Sequence, residues 1–167
     1  MFRTLIVVGL LAGATTATMV SQVHAEEVSV QAVMVPQESI RMDFGDGSKH
    51  FVLMVRREGK SEGTGALAGA SVSEFGWHDI NPPNDGDPHG YLQFTAENGD
   101  IANIKFTVKA VFIKGEEEPR LADYGFWELV SGTGEFEAMT GVGTLTIKSV
   151  SETDRQFTLD GELGLRP

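Results

Sequence analysis

The chain of 167 residues contains no cysteine. That excludes a disulfide framework, a zinc–thiolate centre, a thiol nucleophile and a lipid-anchored cysteine. Basic residues are scarce: 13 Lys and Arg stand against 24 Asp and Glu, for a formal net charge of −11. Such a chain is a poor match for nucleic acid, where Lys and Arg must neutralise phosphates, and no nucleic-acid partner is expected. No apolar run beyond the first 25 residues approaches the ~20 residues of a membrane-spanning helix. Helical patterning with caps is missing as well. So are a G-x-S-x-G nucleophile elbow and a Walker lysine, and a covalent serine mechanism is not expected.

What the chain has in abundance is glycine, 20 residues of it, within a globular composition that is 41 % hydrophobic. Its start reads as an address. Arg3 supplies a basic n-region, Leu5–Ala12 an apolar run too short to span a bilayer, and Val23 and Ala25 the −3 and −1 positions of a cleavage site before Glu26. Residues 1–25 are therefore expected to be a signal peptide, and residues 26–167 one domain that is periplasmic or secreted. Cleavage removes Arg3 and leaves 142 residues with a net charge of −12. The mature protein is expected to have no membrane segment.

From Val28 onward the pattern is period two, the signature of half-buried strands. In Ile101–Lys114, Ile104, Phe106, Val108, Ala110 and Phe112 share one face, and Asn103, Lys105, Thr107 and Lys109 share the other. Phe157, Leu159, Leu163 and Leu165 repeat the pattern near the end of the chain. Further strands are expected at Val28–Val35, Ser39–Phe44, Lys49–Arg57, Ser71–Asp79, His89–Glu97, Gly125–Ser131 and Gly141–Ser149. Gly45-Asp46-Gly47 and Asn98-Gly99-Asp100 are hairpin turns, because Gly and Asn tolerate positive φ. Pro82-Pro83 with Pro88, and Glu116–Pro119, mark longer loops. A single helical turn fits Glu135–Thr140. Gly63-Thr64-Gly65 and Gly132-Thr133-Gly134 lack the strand–turn–helix context of a phosphate loop and read as strand bends or bulges.

Eight strands, or nine, joined largely by hairpins predict an all-β fold. A single antiparallel up-and-down β-barrel is favoured over a sandwich, since closure removes exposed edges and strand glycines permit the bends closure needs.

The segment Ser131–Ile147, with Gly132-Thr133-Gly134, Phe136, Ala138, Thr140-Gly141 and Gly143-Thr144, resembles the glycine-patterned end of bacterial proteins with an allene oxide cyclase-like barrel. The strand and hairpin His89–Asp100 resemble that family's H-G-aromatic segment. The resemblance implies an eight-stranded barrel of calycin-like type, related in shape to dirigent proteins. It also implies a hydrophobic small molecule held in or near the barrel, and self-association into homo-oligomers. No catalytic residue of the plant cyclases matches a position in this chain.

The residues that can carry chemistry are few. Trp77–Tyr91 contains His78, Asp79, Asp85, Asp87 and His89. His78, Asp85, Asp87 and His89 are candidate ligands for a divalent metal, although their spacing fits no established motif and a solvated acidic loop, its Asp and Asn bonding their own backbone, is the favoured reading. His78, His89 and Glu128 are candidate acid–base groups, with Asp79 as an orienting partner. Trp77, Tyr91, Phe126 and Trp127 are candidate ligand-binding aromatics, or ordinary packing. Phe126 and Trp127 are neighbours, so only one of them faces inward, and Glu128 lies on the face opposite Trp127. No cofactor is implied. The expected function is small-molecule binding by an exported barrel. A cyclase or isomerase that guides a rearrangement is the alternative, and metal binding at residues 77–91 a further one.

Overall fold

The computed structural model describes residues 25–115 and 119–167. The expected signal segment lies outside the described residues except for Ala25, as does most of the expected Glu116–Pro119 loop. The elements are β1 (Glu26–Asp43), β2 (Phe51–Thr64), β3 (Ser71–Asn81), β4 (Asp85–Gly86), β5 (His89–Thr95), β6 (Ile101–Ile113), β7 (Arg120–Gly132), a 3-10 turn at Gly134–Phe136, β8 (Met139–Ser149) and β9 (Arg155–Leu165).

Apart from β4 and β5, consecutive strands pair antiparallel, and β9 pairs back onto β1, closing the sheet. β4 and β5 lie end to end between β3 and β6, so the nine strands make eight staves. This is the barrel that period-two alternation predicts, with one stave interrupted at Asp87-Pro88.

The sequence pattern predicts separate strands at Val28–Val35 and Ser39–Phe44, but Glu26–Asp43 is one strand. The ladder with β2 shifts register between Pro36 and Glu38. A proline is tolerated here because the partner ladder with β9 has ended at the Met34–Arg155 pair and a bulge follows immediately. Beyond Met34, β1 pairs with β2 alone, while β2 stays paired with β3 as far as Phe51–Ile80. The register of β6 and β7 also shifts, between Asn103 and Ile104, which leaves Val130 as the extra residue of a bulge next to Gly132-Thr133-Gly134.

The alternating apolar faces turn inward and fill one half of the barrel. Trp127, Phe94, Phe106, Phe136 and Phe157 are each almost fully buried, and burial of each contributes ~2–3 kcal/mol. Leu67, in the β2–β3 connection, and Phe136, on the 3-10 turn, close that end. Ser61, also buried, ties the β2–β3 connection down: its hydroxyl donates to the Leu67 carbonyl at 2.5 Å and accepts from the Ala70 N–H at 3.0 Å.

Trp127 fits because two inward positions beside it are empty. Gly143 pairs with Trp127 and Gly161 with Gly143. A Cβ at Gly143 would lie 2.5 Å from the indole Nε1, and one at Gly161 2.6 Å from Cζ2. The indole N–H donates to the Asp160 carbonyl at 3.3 Å.

Candidate functional site

The other half of the barrel is polar. Arg57 on β2, Glu74 and His78 on β3, and Asp123 on β7 are buried, and all occupy positions that continue the inward, apolar phase of their strands. Arg155 opens β9 on the same phase as Phe157 and Leu159 and is partly buried. Phe51, Phe112 and Leu121 are half-buried on the inward faces nearer the rim.

Arg57 and Glu74 are direct cross-strand partners. Arg57 Nη1 donates to Glu74 Oε2 at 2.7 Å. The second carboxylate oxygen, Oε1, meets His78 Nε2 at 2.9 Å, and His78 Nε2 lies 3.5 Å from Arg57 Nη1. Across the lumen, burial raises the Asp123 pKa to about 6, opposed by the nearby His78 and Arg155 charges. Burial lowers the pKa of Arg155, assisted by the like charge of Arg57, while Asp123, Asp154 and Glu74 act the other way. The five side chains thus form one electrostatically coupled group spanning the barrel interior.

Two atoms of this group are orphans. Arg57 Nε, a donor, and Asp123 Oδ1, an acceptor, are buried without a hydrogen-bond partner among the described residues. Leaving a buried polar atom unpaired costs about 1–3 kcal/mol, more for charged groups. Two carboxylates, two guanidinium groups and an imidazole in a barrel otherwise packed with Leu, Ile and Phe do not serve stability best, because well-packed apolar replacements of buried ion networks are often as stable or more so.

Of the residues singled out from sequence, His78 belongs to this cluster. Glu128 does not: it is exposed and lies 3.6 Å from Lys105 on the outer surface. His89 is exposed and its Nδ1 is 3.0 Å from the Asp87 carbonyl. Asp79 faces outward to His50, at 2.5 Å. Asp85 and Asp87 are exposed in the interrupted stave, and Asp87 binds Lys109. The four metal candidates therefore divide between inside and outside, and among the described residues no three His, Asp or Glu side chains come together as a metal site.

The aromatic candidates divide in the same way. Trp127 is inside, whereas Trp77, Tyr91 and Phe126 are exposed. Trp77 and Tyr91 share an outer groove of about 840 Å³ with Ile40, Met54 and Phe75. Phe126 borders a smaller one of about 500 Å³ with Val142, Gly143 and Thr144.

Arg57, Glu74, Asp123 and Arg155 escaped the sequence reading. Their signal was present: each is a charged residue in phase with the apolar face of its strand, as Arg57 follows Phe51, Leu53 and Val55.

No protein-family model and no curated protein matches this sequence. Solved structures do. A pterocarpan synthase dirigent protein superposes with a TM-score of 0.51 at 11 % identity, over 93 % of this chain and 98 % of its own. A protein of unknown function from Clostridium acetobutylicum gives 0.54 at 9 % identity, over 86 % and 99 %. A conserved protein of unknown function from Rhodopseudomonas palustris gives 0.50 at 9 % identity, over 83 % and 98 %. At these identities the likeness is one of fold: the chain has a barrel of the kind found in a dirigent protein.

Proposed function

We propose that this protein is an exported barrel that binds a small molecule at the charged half of its interior. The ligand has an apolar body, which rests on Phe51, Phe112 and Leu121, and a polar head, which engages Asp123 and Arg57. The observation that carries this reading is the pair of buried, unpartnered atoms, one donor and one acceptor, on two members of the charged interior cluster. A ligand hydroxyl donates to Asp123 Oδ1, and a ligand oxygen accepts from the Arg57 Nε–H. The fold shared with a pterocarpan synthase dirigent protein supports a barrel that holds and orients small molecules.

A second reading is a cyclase or isomerase, in keeping with the allene oxide cyclase-like resemblance. Asp123 favours it, because a carboxyl with a pKa of about 6 both gives and takes a proton near neutrality. Positioning a reactive ligand against such a group suffices for many rearrangements without a nucleophile.

The test uses 2-naphthol and naphthalene as probes, alike in apolar body and different by one hydroxyl. Fluorescence titration is expected to give at least about tenfold tighter binding of 2-naphthol, the worth of one hydrogen bond to a charged acceptor. Asp123→Leu should abolish the difference. Equal affinity of the two probes for the unaltered protein rejects the reading.

A further inference from the structure

β1 outruns one of its two partners. It pairs with β9 only as far as Met34, but with β2 as far as Asp43. Among the described residues, the stretch from Val35 to Asp43 therefore has a partner strand on one side and an open edge on the other. Its beginning is blunted. Pro36 and the bulge interrupt the edge, and the Gln37 amide donates to the Val35 carbonyl at 3.2 Å. From Glu38 to Asp43 the side chains are all exposed. That includes Ser39 and Arg41, although they pair with Val55 and Leu53 on the inward phase of β2.

The direction of the backbone groups follows from the ladder. Just past β1, the Phe44 N–H donates to the His50 carbonyl at 3.2 Å, in register with the Asp43–Phe51 pair. Bonded and non-bonded pairs alternate along an antiparallel ladder. Ile40 and Met42 thus bond to β2, and Ser39, Arg41 and Asp43 turn N–H and C=O toward the open edge. Donors and acceptors then recur there every second residue, ~7 Å apart. Another extended polypeptide backbone offers the matching period, which a sugar or a lipid does not. On the outer face beside Met54, Ile40 is 66 % and Met42 54 % exposed, so apolar side chains are wanted opposite them. Glu38 and Asp43 flank them, and Asp43 already holds Arg41 at 2.7 Å.

We propose that the Ser39–Asp43 edge of β1 docks an extended, basic polypeptide segment with apolar residues at alternate positions, which adds a strand to the sheet. Backbone hydrogen bonds supply the affinity, and Ile40 and Met42 select the side chains. The net charge of −11 favours a basic segment and opposes a second copy of this chain at the same edge. The edge is separate from the interior cluster.

The probe is a fluorescently labelled peptide, Thr-Lys-Ile-Thr-Val-Thr-Lys with blocked ends, titrated with the full protein by anisotropy. Paired antiparallel, its Ile and Val lie opposite Met42 and Ile40, and its lysines opposite Asp43 and Glu38. Saturable binding is expected. N-methylation of the central Thr, whose N–H faces Arg41, should weaken it at least about tenfold, and N-methylation of the Ile, whose N–H faces away, should not. Arg41→Pro removes a donor from the open edge while sparing the β2 ladder, and should cost at least about tenfold as well. Arg41→Thr, which keeps the N–H, should bind like the parent. Glutamate in place of both lysines should weaken the peptide at least about tenfold. No saturation by ~1 mM protein overturns the proposal. So does equal binding of the two N-methylated peptides, equal binding of the acidic peptide, a folded Arg41→Pro protein that binds like the parent, or self-association that Arg41→Pro disperses.

Discussion

Glu74 and His78 stand four residues apart on β3, yet their side chains meet at 2.9 Å. Along a strand, positions i and i+4 share a face but lie ~13 Å apart at the backbone. The residue between them on that face is Gly76. A Cβ there would collide with Glu74 Oε1 and lie 2.6 Å from His78 Nε2. The missing side chain is the space in which the carboxylate and the imidazole lean together. Gly76→Ala should push them apart, leave a buried acceptor short of a partner, and destabilise the fold by ~1–3 kcal/mol in urea unfolding. A variant as stable as the parent would mean that the pair is not held in this way.

Asp123 gives a pH dependence of definite sign. Its pKa rises from 3.8 to about 6 on folding because burial disfavours the carboxylate. The folded state therefore holds the proton more tightly. The stability contributed by the protonated group is fully present below pH 3.8 and is lost as pH rises to about 6. The whole effect is on the order of 3 kcal/mol. Asp123→Asn cannot ionise, so at pH 7.5 it should be more stable than the parent by about 1–3 kcal/mol, and the gap should close near pH 4. Urea midpoints at the two pH values check this; a gap that is constant with pH contradicts it.

The Arg57–Glu74 pair is expected to be costly to break and cheap to replace. Arg57→Met leaves a buried carboxylate without its main partner and should destabilise by ~3–5 kcal/mol. Arg57→Met with Glu74→Leu removes both charges and should return to within ~1 kcal/mol of the parent. A double variant as unstable as the single one would show that the pair is retained for stability.

The two tryptophans report the inside and the outside separately. Trp127 is 2 % exposed and Trp77 is 41 % exposed. Trp77→Phe should leave blue-shifted fluorescence resistant to iodide, and Trp127→Phe should leave red-shifted fluorescence that iodide quenches.

The barrel was legible in the sequence because alternation is a one-dimensional record of inside and outside. Ile104, Phe106 and Val108 read as inward and are buried. The adjacency of Phe126, Trp127 and Glu128 also required them to alternate, and they do. The direction of that alternation was not readable there: an isolated Phe-Trp-Glu has no phase until Leu129, Gly125 and Asp123 are assigned with it. The interior site was hidden for a related reason. A charge in the apolar phase, such as Glu74 between Val72 and Gly76, looks like the end of a strand or a flaw in the pattern. Only the cross-strand register with Arg57, 17 residues away, supplies its partner. Clusters of His and Asp close in sequence drew attention to residues 77–91, but pleating sends His78 inward and Asp79 outward. The merging of β1 across Pro36 likewise depended on where β9 ends, which local sequence does not record.

A high-resolution crystal structure of the protein soaked with 2-naphthol tests the interior site most directly. The account predicts the naphthyl ring between Phe51, Phe112 and Leu121, with the hydroxyl in hydrogen-bond contact with Asp123 Oδ1. Probe density confined to the outer grooves, with Asp123 Oδ1 and Arg57 Nε satisfied by protein side chains, would contradict it.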